Sequence, residues 1–271
     1  MEETLHIAPL PSKPNDIALY VTHLSSTLKT ATIRSHLSAV AFFHQLHGYA
    51  NPTSSFLIKK LLASRKKREA CPPTRKAITI NILRRLISTL KLPKYTSYER
   101  KLYTAVFNIM YHAALRASEV CITPSSAHTL KASQLKTVPC RKGAALKIHF
   151  ASYKHSPRAP KPLILYPTQS STCAVGAYNL YIRPQTKRDG PAFLVDRRRP
   201  LTRQLLASTL HDLLRHMHLN PSNYNTHSFR IGKATDMANQ GYSYSQIALL
   251  GRWHSNAFLK YIKPTVVHGT R

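Results

Sequence analysis

The sequence predicts a mainly α protein: an N-terminal helical bundle followed by an α-rich domain that carries one small antiparallel β-sheet. Three observations lead there. Apolar residues recur at helical spacing through most of the 271 residues, the period changes to two in one stretch after Ala145, and a basic, proline-containing segment interrupts the helices near residue 71. Apolar residues make up 43% of the chain and glycines number only eight, so a buried core can form.

Taken in order, Asn15 or Asp16 can cap a helix with Ile17, Tyr20, Val21 and Leu24 on one face. A second helix follows Thr32, with Ile33, Leu37, Val40, Ala41 and His44 in line, and Gly48 ends it. Pro52 opens a turn, and Thr53 to Ser55 supply caps for a third helix bearing Ile58, Leu61 and Leu62. These three form a bundle over residues 1–70. Arg65, Lys66, Lys67 and Arg68 lead into Cys71-Pro72-Pro73-Thr74-Arg75-Lys76, where two prolines cannot continue a helix, so residues 71–78 are predicted as a basic linker.

The second domain is predicted over 79–271. Leu83, Leu86 and Leu90 mark a helix after Thr79, and Leu102, Val106, Ile109 and Ala113 mark another from Tyr98. Leu146, Ile148 and Phe150 alternate with Lys147 and His149, and Leu163-Ile164-Leu165-Tyr166 follows a proline-rich turn, which is a hairpin signature. Helices resume at Thr172–Ile182, Arg203–His218, His227–Gln240, Ser245–Leu250 and Asn256–Ile262, with Gly251 read as a helix terminator.

Charge narrows the partner. Forty Lys and Arg stand against ten Asp and Glu, a formal net charge of +30, which suits a polyanion. No run reaches the roughly 18 apolar residues of a membrane span and residues 1–20 lack a secretory pattern, so a soluble, intracellular protein with no membrane partner is expected, nuclear if the source is eukaryotic. Cys71, Cys121, Cys140 and Cys173 include no C-x-x-C pair, which argues against zinc and disulfides and for small core residues. Two-metal nucleases need several convergent carboxylates. This chain is short of acids, so nucleic-acid cleavage by it would proceed without metal, and no cofactor is expected.

Four places could carry chemistry. His227 and Arg230, three apart at the start of a helix, can face one way beside the positive end of the macrodipole, where an anion binds readily; a capped surface helix would look the same. Arg116 is flanked by core-type residues and has Glu119 at i+3, either a structural ion pair or a site arginine with its support. Lys154 stands in the hairpin turn, where a lysine can swing toward a ligand or serve solubility. The C-terminal stretch from Leu249 to Lys263 holds Gly251, Arg252, Trp253, His254 and Tyr261, including the single tryptophan. The run Arg65 to Arg68, with Arg75 and Lys76, is a candidate contact to a phosphate backbone, a nuclear-import signal or a solvated helix end.

The order Arg-x-x-Glu, hairpin Lys, His-x-x-Arg, then Leu-Gly with Tyr ten residues after the Gly resembles the tyrosine recombinase, or phage-integrase-like, family. Ala-Leu-Arg-Ala-Ser-Glu, His-Ser-Phe-Arg and Gly-Arg-Trp-His-Ser-Asn-Ala-Phe-Leu-Lys-Tyr-Ile are most similar to recombinases of Crypton or DIRS-like mobile elements. The resemblance covers about residues 75–265 and implies a DNA breaking-rejoining fold, with residues 1–70 as the core-binding domain and a clamp around duplex DNA. It implies that Tyr261 is the nucleophile and forms a 3′-phosphotyrosyl bond, Arg116 and Arg230 clamp the non-bridging oxygens, Lys154 is the general acid, His227 assists proton transfer, and Glu119 supports Arg116. The partners implied are double-stranded DNA and further protomers in a synaptic complex, a tetramer on DNA. Two alternatives share the fold or the chemistry: a domesticated, inactive DNA-binding protein and a type IB topoisomerase. The sequence departs from the family at three points. The position nine before the tyrosine, usually His or Trp, holds Arg252, so Arg252, Trp253 or His254 can fill that role, with Trp253 the choice here because its indole N–H can donate to phosphate. Ala114 replaces a usual glycine, and the first domain shows three helices where four are usual.

Overall fold

The computed structural model describes residues 10–69, 75–123, 128–153, 160–182, 190–253 and 255–262, with the backbone alone at 257 and 261. The chain divides into two compact units, Met1–Pro72 and Pro73–Arg271.

The first unit contains α1 (Pro14–Leu24), α2 (Thr30–Leu46) and α3 (Phe56–Arg68) around a core of Ile17, Val21, Ile33, Leu37, Ile58 and Leu62. Capping of α1 differs from expectation: Lys13 is the cap residue, and Asp16 reaches back to accept its N–H at 3.0 Å. The second helix starts at Thr30, before Thr32, because Glu69 at the far end of α3 accepts both the Thr30 N–H at 2.5 Å and its hydroxyl at 2.7 Å. A carboxylate from 39 residues away thus does the work of a local cap at the positive helix end. Ser55 caps α3, accepting from the Ile58 N–H.

The second unit is built on α5 (Ser97–His112), whose residues from Leu102 to Tyr111 are buried save Thr104. A helix apolar all round belongs in the middle of a fold. Around it stand α4 (Ile80–Thr89), a single turn α6 (Ala117–Val120), a three-stranded antiparallel sheet of β1 (Leu135–Cys140), β2 (Gly143–Ile148) and β3 (Leu163–Leu165), then α7 (Ala174–Ile182), a small ribbon of β4 (Leu194–Val195) and β5 (Arg199–Pro200), α8 (Arg203–His216), α9 (Ser228–Asn239), α10 (Tyr244–Gly251) and a 3-10 helix, Asn256–Tyr261. In the sheet, Leu135 pairs with Ile148 and Leu146 with Leu165. Phe107 of α5 stacks on Phe229 of α9 at 5.2 Å, which seats the start of α9 on the core.

The described part of the predicted linker is tied to this unit. Ile78 is fully buried and its N–H bonds the Ser228 carbonyl at 2.9 Å, while the Lys76 N–H bonds Asn223. The chain here passes so close to α9 that a Cβ on Gly232 would meet the Ile78 oxygen at 1.7 Å. Of the cysteines expected in the core, Cys121 is buried and its thiol is pushed up to about 12 by burial, whereas Cys140 and Cys173 are half-buried; Cys71 lies outside the described residues. No described helix is long and apolar enough to cross a membrane.

Candidate active site

The site grows from the end of α5. Ala114 turns the chain with a left-handed φ of 45°, the conformation glycine takes at least cost, and Arg116 then runs extended into α6. Glu119, at the third position of that turn, accepts the Arg116 N–H at 2.9 Å and its guanidinium at 3.1 Å. Glu119 is only 1% exposed, and a carboxylate so buried requires cations. It receives a second one from far along the chain: Arg252 Nη2 donates to Glu119 Oε2 at 2.8 Å.

Arg252 follows the last residue of α10 and is itself left-handed, φ 55° and ψ 46°. Gly251 was expected to stop the helix, but it is the last helical residue and the reversal falls on Arg252. The glycine is required for a different reason: a Cβ there would meet Trp253 Cζ3 at 1.8 Å. From its position Arg252 reaches inward. Its Nη1 donates to the Ala113 carbonyl at 3.2 Å, and the guanidinium lies 4.3 Å from the Phe150 ring centroid and 5.5 Å from that of Tyr153. Burial lowers its pKa from the ordinary arginine value, with the charge of Glu119 opposing.

Arg230 is 1% exposed. Its Nη1 donates to the Ala114 carbonyl at 2.6 Å and its Nη2 to the Gly251 carbonyl, so it bridges the turn before Arg116 to the turn after α10. Trp253 covers it, the guanidinium carbon 4.1 Å from the indole centroid, and the indole stacks on Phe258 of the 3-10 helix at 5.6 Å. His227, where α9 begins, is held neutral: burial first, then the charges of Arg230, Arg116 and Arg203, push it down to about 4. A neutral imidazole carries one N–H donor and one nitrogen that can accept a hydrogen bond.

Arg116, Glu119, His227, Arg230, Arg252 and Trp253 are thus assembled around two facing turns. Lys154 and His254 lie outside the described residues, and Tyr261, described by its backbone alone, closes the 3-10 helix. Of the basic run, Lys66, Lys67 and Arg68 are exposed on the last turn of α3, while Arg65 turns inward to the Leu28 carbonyl at 2.5 Å and to Glu69 at 3.6 Å. Arg75 and Lys76 are exposed, the Arg75 guanidinium donating to the Ser222 carbonyl. Phe150, expected as a strand residue, lies beyond the end of β2, and neither it nor Tyr153 was expected at the site; their one signal in the sequence is two aromatics at the edge of the hairpin turn. Asp236, with no signal in the sequence, accepts from the Ile80 N–H and the Tyr111 hydroxyl and ties α4, α5 and α9 together.

No family model and no curated protein sequence matches the chain. Solved structures do. The Tn1549 transposon integrase (residues 82–397) in complex with circular intermediate DNA is 14% identical, with a TM-score of 0.60 over 96% of this chain and 84% of that one. The XerH site-specific recombinase bound to a palindromic difH substrate is 12% identical, with a TM-score of 0.62 over 93% and 69%. A lambda integrase dimer bound to a COC′ core site is 13% identical, with a TM-score of 0.55 over 93% and 65%. At such identities the likeness is one of fold, and the chain has the mainly helical fold, with small antiparallel sheets, of the tyrosine recombinases.

Proposed function

We propose that this chain is a site-specific DNA recombinase or integrase that cuts and rejoins strands through a 3′-phosphotyrosyl intermediate at Tyr261, in integrating or excising a mobile element of the Crypton or DIRS-like kind. The observation that carries this reading is the convergence of Arg116, Arg230 and neutral His227 on two turns, with Tyr261 ten residues after the Gly251 carbonyl that holds Arg230. The Tn1549, XerH and lambda proteins, solved with DNA, lend support through the shared fold.

In the reaction, the Tyr261 oxygen attacks phosphorus while His227 takes the phenol proton. The P–O5′ bond breaks, and Lys154 gives the leaving oxygen its proton. Arg116 and Arg230 neutralise the non-bridging oxygens, where paired N–H donors match a phosphate better than a point charge does. Trp253 can add an indole N–H. Rejoining runs the same steps backward with a new 5′ hydroxyl, so the bond energy is kept and no metal or cofactor is needed. Duplex DNA is the substrate, Lys66, Lys67, Arg68, Arg75 and Lys76 are backbone contacts, several protomers assemble in a synapse, and the nucleus is the site of action if the source is eukaryotic.

One observation favours the second reading, an inactive DNA-binding protein: Arg230 is 1% exposed and gives both of its Nη groups to carbonyl oxygens. Incubation with nicked suicide duplexes in chelator separates the two. The enzyme reading predicts a covalent protein–DNA adduct; its absence on the element's own terminal DNA would leave the binding protein.

A further inference from the structure

We propose that Arg252 is a positioning residue for strand cleavage: it aims Arg116 through Glu119 and does not itself touch the scissile phosphate. The inference rests on the recombinase reading and concerns the position where that family usually carries His or Trp.

The guanidinium of Arg252 points into the protein. Its side chain is 8% exposed, against 24% for Arg116. Nη2 is taken by Glu119 and Nη1 by the Ala113 and Leu250 carbonyls, Phe150 and Tyr153 lie beside the guanidinium, and its Nε is buried without a hydrogen-bond partner among the described residues. To meet a phosphate it would have to abandon a buried carboxylate, at the cost of an uncompensated charge. Glu119 divides its oxygens accordingly: Oε1 holds the Arg116 guanidinium, and Oε2 holds the Arg116 N–H and Arg252. Removing Arg252 leaves Oε2 short of a charged donor and frees the carboxylate to turn, so Arg116 loses its aim.

The residue type fits the task. Three acceptors, the Glu119 carboxylate and the Ala113 and Leu250 carbonyls, are met by two separate Nη groups, while the flat cation lies against two aromatic rings. Lysine offers one point of charge, and the donors of histidine and tryptophan sit on shorter side chains. The same guanidinium joins the turn before Arg116, through Ala113, and Glu119 just after it to the turn that leads toward Tyr261, so parts of the site 139 and 133 residues apart share one brace.

The test is a double-mutant cycle on single-turnover cleavage of a suicide duplex, using the full chain, Arg252→Met, Arg116→Lys and both together, with DNA affinity measured beside each rate. If Arg252 acts through Arg116, each single change slows cleavage by about 100-fold and the double is no slower than Arg116→Lys by more than about twofold, with affinity held within about twofold. Rates that multiply to a loss of about 10,000-fold would overturn the proposal by making Arg252 an independent phosphate ligand. Arg252→Lys keeps the charge, is expected to be nearly as slow as Arg252→Met, and carries the same cycle where the Met variant fails to fold; full activity of Arg252→Lys would also overturn it. Failure of the unaltered chain to cleave any substrate would instead sink the recombinase reading.

Discussion

The Arg230 guanidinium lies 4.1 Å from the centroid of the Trp253 indole, which itself stacks on Phe258 in the helix that Tyr261 closes. A phosphate can reach an arginine that is 1% exposed only if this cover shifts. Trp253 is the chain's one tryptophan, so its emission reports the event directly. Saturation with site duplex is expected to change the emission, equally in Tyr261→Phe, since the shift precedes chemistry. A spectrum indifferent to bound DNA would mean that Arg230 stays covered.

Acid should weaken the fold through its buried histidines. His227 and His112 are both lowered from 6.5 to about 4 by burial, with Arg230 adding at the first and Lys233 at the second. His112 donates to the Thr172 carbonyl at 2.8 Å. The unfolded chain therefore binds protons below about pH 6.5 that the folded chain refuses until about pH 4, so stability rises with pH across that window. The contribution is complete above pH 6.5 and falls toward pH 4 by at most about 3 kcal/mol per histidine. Urea unfolding at several pH values is expected to show this slope, and a shallower one in His227→Gln.

Two backbone positions give opposite expectations. Ala114 holds a left-handed φ of 45°, so Ala114→Gly relieves strain and is expected to raise stability by up to about 1 kcal/mol. Gly251→Ala forces its Cβ into the Trp253 ring, which then leaves Arg230, at a cost of about 1–3 kcal/mol. Denaturant midpoints compare both with the parent.

Salt should govern DNA binding. A protein of net charge +30 that neutralises about ten phosphates shows a log–log slope near −9. Lys66 and Lys67 are exposed, so Lys66→Ala and Lys67→Ala are each expected to reduce the slope by about 1. Arg65→Ala is expected to destabilise the bundle, since Arg65 is bonded to Leu28 and Glu69. Titrations over a range of salt concentrations, with melting curves, tell the two kinds of basic residue apart.

What the sequence revealed follows from the range of the forces. The long helices were legible because their apolar stripes repeat every 3.6 residues and because Ser55 and Thr79 mark their own helix starts; the caps Thr96, Thr202 and Ser243 show themselves only in the structure. The α6 helix was not, because four residues hold no period. The β1 strand was hidden because it reads Leu-Lys-Thr-Val-Pro-Cys, with only Leu135 buried, and takes its strand form from pairing with β2. In the site, Arg116 and Glu119 showed themselves as neighbours at i+3. The links from Arg252 to Glu119 and from Arg230 to Ala114, at sequence separations of 133 and 116, carry no local signal. Trp253 was favoured over Arg252 as the residue beside the phosphate; the structure turns Arg252 inward to Glu119 and lays Trp253 over Arg230.

On the proposed function, Tyr261 becomes joined to DNA. The most direct measurement traps the adduct on a suicide duplex in chelator, digests it with nuclease and protease, and locates the remaining nucleotide by mass spectrometry. A 3′-nucleotide on Tyr261 and no adduct from Tyr261→Phe are expected. A nucleotide on any other residue, or an adduct that persists in Tyr261→Phe, would contradict it.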